Sequence, residues 1–180
     1  DIAAQHDVPI DLHFDPVPKD VEKPAHLSSP KNPPVLKENL GSLELLLAHN
    51  RKTKIVWAHA GADPVGFFTP KLVREMLGRH VNLSFSIRPT LNKADAMVSP
   101  KGSINAEWIE VLRDFPDRFV IGSDTFVVPT RYTGAEAPRI FASRAEVQLR
   151  GIRRLLSHLP ADLARKIGYE NAERLYRVNR

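Results

Sequence analysis

The strongest constraint on the fold is an alternation of short apolar runs with stretches of helical periodicity. The apolar runs are the length of strands and rich in β-branched and aromatic residues, and they cover residues 8–13, 54–59, 81–87 and 119–124. Between and after them, apolar residues recur at helical spacing over about 37–51, 70–80, 104–114 and 140–158. Two shorter helical segments are predicted from Pro160 and from Tyr169. Strands that alternate with helices in this way predict a parallel α/β architecture built from βα units.

Composition limits the class of protein. The chain has 180 residues, of which 42% are apolar and 26% charged, and this predicts a single globular domain or partial domain over residues 1–180. The net charge of +5 is spread along the chain without runs of like charge, which argues against a nucleic-acid partner. No segment approaches the roughly 20 apolar residues of a membrane span. The absence of Cys excludes disulfides and thiolate metal sites.

The start of the sequence bears on its origin. The first residue is Asp1 rather than Met, and no signal-like segment precedes the first predicted strand. We therefore expect this chain to be part of a longer protein or a processed product. Its compartment is undetermined: the cytoplasm is favoured, and the periplasm is the alternative because a targeting segment could have been lost with the missing part.

Two connections are predicted to be long loops that shape substrate selection. The stretch 14–36 is rich in Pro and far exceeds the roughly two to six residues usual between strand and helix in this architecture. A second loop, 125–138, follows the fourth predicted strand. In the loop at 88–103, Ser103 is predicted to cap the helix that follows.

Three polar residues stand where apolar runs stop. His13, His59 and Asp124 each end a different predicted strand, and the carboxyl ends of parallel strands meet at one edge of a sheet. Each residue alone is more often a cap or a hydrogen-bonding group, but the three together favour a common site. Imidazole and carboxylate are ligands that zinc, manganese and iron accept. Strand alternation predicts that His59 shares the face of Trp57 and Ile55. The opposite faces of these strands are apolar enough to be covered by helices, so all three candidate ligands are predicted to point away from the helices.

Four segments together resemble the amidohydrolase superfamily. The resemblance is to the branch of (β/α)8 barrels that includes aminocarboxymuconate-semialdehyde decarboxylase-like enzymes. It rests on the sequences Pro-Ile-Asp-Leu-His, Ile-Val-Trp-Ala-His-Ala-Gly, Val-Ile-Gly-Ser-Asp-Thr and Tyr-Glu-Asn-Ala-Glu-Arg-Leu-Tyr, at residues 9–13, 55–61, 120–125 and 169–176. In order and spacing these look like strands five, six and eight and the closing helix of that barrel. The implied fold is the C-terminal half of a TIM-like barrel, strands five to eight with their helices.

The resemblance also implies roles for single residues. His13 would be the fifth-strand metal ligand, and His59 the sixth-strand His that binds metal or polarises the substrate. Asp124 would be the eighth-strand ligand that also handles a proton from metal-bound water. The implied cofactor is a divalent metal, with zinc favoured over manganese or iron. Arg88, at the end of the seventh strand, is predicted to bind an anionic group of the substrate or to be a surface Arg, whereas Asp11, Trp57 and Asp63 are predicted to be structural.

The function predicted from this resemblance is metal-dependent hydrolysis of a small amide, ester or lactone. A metal-dependent decarboxylase on the same framework and a catalytically inactive half-barrel fragment or subunit are the alternatives. The first four strands of the barrel, with their His-x-His pair, have no counterpart in this sequence. The predicted partners are therefore a small-molecule substrate and either the missing N-terminal half or a second copy of the chain in a homodimer.

Overall fold

The computed structural model of the chain describes residues 1–27, 31–89, 97–99, 102–125 and 137–177, with side chains in the last range from residue 145 onward. Most of the predicted loop 125–138 and part of the loop 88–103 lie outside these residues. The described part is a mixed α/β structure with a parallel sheet of four strands and a separate antiparallel pair. No helix in the described ranges is long and apolar enough to cross a membrane.

The four strands of the parallel sheet and their helices follow the predicted alternation with shifted boundaries. The strands are β1 (Ile10–Leu12), β2 (Val21–Glu22), β3 (Val35–Leu36), β4 (Ile55–Ala60), β5 (Leu83–Ile87) and β6 (Phe119–Ile121). The helices are α1 (Ile2–Gln5), α2 (Leu40–His49), α3 (Pro70–Arg79), α4 (Ala106–Asp114), α5 (Ala137–Ser157), α6 (Ala161–Arg165) and α7 (Asn171–Tyr176). A π-helical segment, Lys166–Glu170, joins α6 to α7. The short elements α1, β2 and β3 were not predicted.

The main sheet has the order β1-β4-β5-β6, and all its pairings are parallel. Its register aligns Leu12, Trp57, Phe85 and Phe119 in one row across the four strands. The three aromatic members of the row are buried, and the Trp57 ring stacks on Phe68 at 4.7 Å and on Phe85 at 5.3 Å between centroids. This row is the middle of the hydrophobic core.

The helices cover this core with apolar residues of the predicted helical segments. Their buried residues are Leu43 and Leu47 of α2, Val73, Met76 and Leu77 of α3, and Trp108, Val111 and Leu112 of α4. Leu46, in the predicted helical segment of α2, is 47% exposed.

The start of α4 differs from the prediction. Asn105 caps the helix, because its side chain accepts a hydrogen bond from the backbone N–H of Glu107. Ser103, the predicted cap, instead forms a turn with Ser99, since the two residues exchange backbone and side-chain hydrogen bonds. The prediction for Ser103 is therefore wrong by two positions.

The Pro-rich stretch contains structure of its own. β2 and β3 pair antiparallel within it, with Val21 opposite Leu36 and Glu22 opposite Val35. This pairing brings the two described parts of the long connection together. In its described residues, backbone pairing therefore holds the stretch, which is not an open loop.

Gly122 allows a close approach between the end of β6 and β5. A Cβ on residue 122 would lie 2.8 Å from Ser86 Oγ and 2.9 Å from Ser86 Cβ. We expect Gly122→Ala to lower the free energy of unfolding by about 1–3 kcal/mol, because the backbone or Ser86 must move. Urea denaturation of the single variant and of a Gly122→Ala, Ser86→Gly double variant measures this effect.

The matched control is Gly78→Ala in α3, where an added Cβ has nothing within 4 Å. We expect this change to be neutral or to stabilise by up to about 1 kcal/mol, as is usual for Gly in a helix. If Gly122→Ala costs the same with and without the Ser86 side chain, the clash is not the cause.

Candidate functional site

The predicted site residues come together at the carboxyl edge of the main sheet. The ring centroids of His13 and His59 are 4.7 Å apart. Asp124 Oδ1 lies 3.7 Å from His59 Nε2, and Asp124 Oδ2 lies 3.1 Å from Arg88 Nε. The parallel order of the strands explains this convergence, because each of the four residues lies at or just beyond the end of a different strand.

A bulge in β4 places His59. The register pairs Trp57 with Phe85 and Ala60 with Ile87, so β4 carries two residues where β5 carries one. The extra residue interrupts the alternation of the strand. His59 itself has a φ of +75°, in the left-handed region.

The bulge corrects the predicted face of His59. Trp57 and Ile55 both lie in the core that the helices cover, and strict alternation would have sent His59 into the same layer. Beyond the bulge Ala60 returns to the core, and His59 instead faces Asp124. The prediction that His59 points away from the helices agrees with these contacts, but the prediction that it shares the face of Trp57 and Ile55 is wrong.

Two residues of the site have strained backbones. His59 and Asp124 both have positive φ, +75° and +48°, which non-glycine residues rarely adopt. Gly61, at φ +92°, and a hydrogen bond of 2.9 Å from the N–H of Ala62 to the carbonyl of His59 close the turn after β4. Such conformations cost of order 1–3 kcal/mol each and cluster at functional sites. The backbone conformations of His59 and Asp124 therefore indicate a functional site at the same place as the clustered side chains.

Asp15 is a site residue that was not predicted from the sequence. Its Oδ2 lies 4.0 Å from His13 Nε2, so the imidazole has a carboxylate beside it. The signal was the His-x-Asp spacing directly after β1. With Asp15 included, the site is a row of five side chains, which we call the edge cluster: Asp15, His13, His59, Asp124 and Arg88.

Burial sets the charge state of His59. Loss of solvent lowers the pKa of His59 below its ordinary value; the nearby Asp124 carboxylate opposes this, whereas His13 and Arg88 reinforce it. The side chain is 21% exposed. At pH 7 the imidazole is therefore neutral, and one ring nitrogen has a free lone pair.

Arg88 is engaged with a neighbour. Its guanidinium contacts the Asp124 carboxylate, and its side chain is only partly exposed. An Arg held on a carboxylate orients that carboxylate. The role predicted from the sequence, binding of an anionic substrate group, stays a prediction.

Two other residues singled out in the sequence make structural contacts. Asp11 Oδ1 accepts a hydrogen bond of 2.6 Å from the Tyr176 hydroxyl, which ties α7 to β1. Burial and this hydrogen bond raise the pKa of Tyr176. Asp63 Oδ1 accepts from the backbone N–H groups of Gly66 and Phe67 and so fixes the turn before α3. These contacts agree with the structural roles predicted for Asp11 and Asp63.

The edge cluster fits a divalent metal ion in ligand type. Two imidazoles and a carboxylate are suitable donors, and two ligands of one tetrahedral zinc lie about 3.4 Å apart, close to the 3.7 Å between His59 and Asp124. Within the residues that the structure describes, however, no group of three His, Cys, Asp or Glu residues is placed to hold an ion. The donor chemistry therefore fits, and the set of three ligands stays a prediction.

Comparison with known proteins gives one match. The amidohydrolase family model matches residues 1–178. Neither curated proteins nor solved structures gave a match. The family match confirms the resemblance found in the sequence at the level of the superfamily, whereas the decarboxylase-like branch and the position in the C-terminal half of a barrel stay predictions.

The family match also bears on activity, since it indicates a hydrolase or a related enzyme. It runs through every strand of the main sheet and through all five residues of the edge cluster. Fold, site and match thus refer to the same stretch of sequence, and the chain belongs to the amidohydrolase family.

Proposed function

We propose that this chain carries part of the active site of a metal-dependent hydrolase that acts on a small amide, ester or lactone. The observation that supports this most is the contact of 3.7 Å between His59 and Asp124 at the carboxyl edge of a parallel sheet. His13, His59 and Asp124 would hold the divalent ion, with zinc favoured over manganese or iron. When bound, such an ion lowers the pKa of its water to about 7 and polarises the substrate carbonyl.

The protein side chains would do the rest of the chemistry. Asp124 accepts the proton of the water that attacks the carbonyl carbon and returns it to the amine or alcohol that leaves as the C–N or C–O bond breaks. Arg88 contacts Oδ2 of this carboxylate, which leaves Oδ1 directed toward His59 and the proposed ion. Because burial keeps His59 neutral, its lone pair is free to bind the ion.

The proposal includes a structural partner. β1 and β6 are the outer strands of the described sheet, and each pairs there with one neighbour. A closed barrel of this type has eight strands. We therefore propose that the active unit is completed by an N-terminal half-barrel or by a second copy of this chain.

The test is the metal content of the purified protein, measured by elemental analysis together with its intact mass. We expect near-stoichiometric zinc, manganese or iron in the wild type. A His13→Ala, Asp124→Ala double variant is expected to lose metal by about tenfold or more, because both are proposed ligands. The matched control is His49→Ala, Asp162→Ala, which changes an exposed His and an exposed Asp outside the edge cluster.

The outcomes separate the alternatives. A folded wild-type protein without metal, or a double variant that retains it, would contradict the metal site. A metal-containing protein is then assayed with amides, esters and lactones and with aromatic carboxylic acids. Release of carbon dioxide rather than hydrolysis products would support the decarboxylase instead.

A further inference from the structure

A cavity of about 440 Å³ opens beside His13. It lies between the Pro-rich stretch 14–36 and the loop after β4. Its apolar lining comes from both, and the side chains are Phe14, Val17, Leu27, Pro33, Leu36 and Val65. A volume of this order is typical of small-molecule sites. Because His13 belongs both to this lining and to the edge cluster, the cavity is continuous with the candidate site.

The walls of the cavity are fixed by hydrogen bonds to other parts of the fold. The indole N–H of Trp57 donates to the carbonyl of Phe14 at 2.7 Å. Asn39 accepts one backbone N–H at 2.8 Å and donates to one backbone carbonyl at 3.0 Å, both in the segment after Phe14. On the far side, the His26 ring contacts the carbonyl of Pro64 at 2.6 Å. A wall held in this way is preorganised, which lowers the entropic cost of binding.

The charges on the rim do not favour an anionic ligand. Lys37 is the one Lys or Arg among the described lining residues, and its ammonium lies 2.7 Å from Asp20, largely in solvent. Asp15, also on the rim, places a carboxylate next to His13. An anionic group would therefore meet a carboxylate near His13 and would have to compete with Asp20 for Lys37.

We propose that this cavity binds an uncharged, apolar acyl or aryl group of the substrate and thereby presents the substrate carbonyl to the edge cluster. The inference rests on the proposed function for the reaction, but the binding step can be measured without turnover. It assigns substrate selection to the Pro-rich stretch through apolar contact. It also makes a neutral substituent, rather than a carboxylate, the preferred one at this position.

The experiment compares two aryl amides, benzamide and 4-carbamoylbenzoate, of which the second carries an additional para carboxylate; terephthalamide, which has a neutral amide in place of that carboxylate, controls for size. Their Kd values are measured by calorimetry or ligand-observed NMR on the full chain as purified. We expect benzamide to bind about tenfold or more tightly than 4-carbamoylbenzoate. Leu36→Trp, which fills the cavity, is expected to weaken benzamide binding by about tenfold or more, in the range that pocket contacts usually give.

The matched control is Leu45→Trp, the same change on the outer face of α2 where Leu45 is 74% exposed. It should bind benzamide as the wild type does. Val65→Phe fills the cavity from the loop after β4. It replaces Leu36→Trp in the test if that variant does not fold. The proposal is overturned if benzamide does not bind the wild type, if both filling variants bind it normally, or if the charged probe binds more tightly.

Failure of this inference is distinguishable from failure of the proposed function. A protein that binds benzamide in the cavity but hydrolyses nothing contradicts the proposed reaction alone. A protein that hydrolyses amides or esters with the same kcat/KM in Leu36→Trp and Leu45→Trp contradicts the cavity alone.

Discussion

Replacing Asp124 with Asn is expected to lower kcat/KM by about 10²–10⁴-fold, the usual contribution of a positioned general base. The amide has nearly the shape of the carboxylate but cannot accept the proton of the attacking water. Steady-state kinetics with the best substrate measures the loss, and thermal unfolding shows whether the fold is kept. Metal content measured in parallel separates a defect in proton transfer from a loss of the ion.

Asp114→Asn is the matched control. Asp114 at the end of α4 contacts Arg74, so it too is a carboxylate paired with an Arg, but it lies outside the edge cluster. We expect this variant to keep its activity within about twofold, because a surface ion pair contributes little. Activity above a tenth of wild type in Asp124→Asn would exclude this carboxylate as the proton acceptor.

Replacing Trp57 with Ala is expected to lower the free energy of unfolding by about 3–5 kcal/mol, as for other large buried aromatics. Trp57 is fully buried, stacks on Phe68 and Phe85, and donates its indole N–H to the carbonyl of Phe14. Urea denaturation measures the loss. Because Phe14 follows His13 directly, the variant should also loosen the wall of the cavity and weaken benzamide binding.

Trp57→Phe separates packing from the hydrogen bond. It keeps an aromatic ring and removes the donor to Phe14, so we expect a smaller loss of roughly 1–3 kcal/mol. Leu45→Ala on the exposed face of α2 should stay within about 0.5 kcal/mol of wild type. A loss below about 1 kcal/mol for Trp57→Ala would mean that the aromatic row is not the centre of the core.

The sequence predicts the larger elements because burial leaves a periodic pattern. In β5, Leu83, Phe85 and Ile87 alternate with polar residues, and the structure buries all three. Which of two neighbouring polar residues caps a helix leaves no such pattern in the sequence. Ser103 and Asn105 are both good caps two positions apart, and the turn between Ser103 and Ser99 leaves the cap to Asn105. The β2–β3 pair was also missed, since two-residue strands have no measurable periodicity.

The candidate site was likewise predictable from the sequence only in part. The proximity of His13, His59 and Asp124 could be predicted, because parallel strands bring their carboxyl ends to one edge; their role as metal ligands stays a prediction. The face of His59 could not be predicted, because a bulge is a mismatch between two strands and only the paired structure reveals it. The contacts of Asp15 and Arg88 depend on loop conformation, for which this sequence has no periodic signal.

The bulge in β4 also bears on how this position can evolve. Hydrogen bonds from the N–H of Ala62 to the carbonyl of His59 and from the N–H of Arg88 to the carbonyl of Ala60 hold its backbone, so the direction of residue 59 does not depend on the packing of its side chain. A φ of +75° is adopted most readily by Gly, Asn, Asp and His. Three of these four can bind a metal or a polar substrate atom. A substitution of His59 by Asn or Asp can therefore change the side chain that faces the site while the backbone of β4 keeps its conformation.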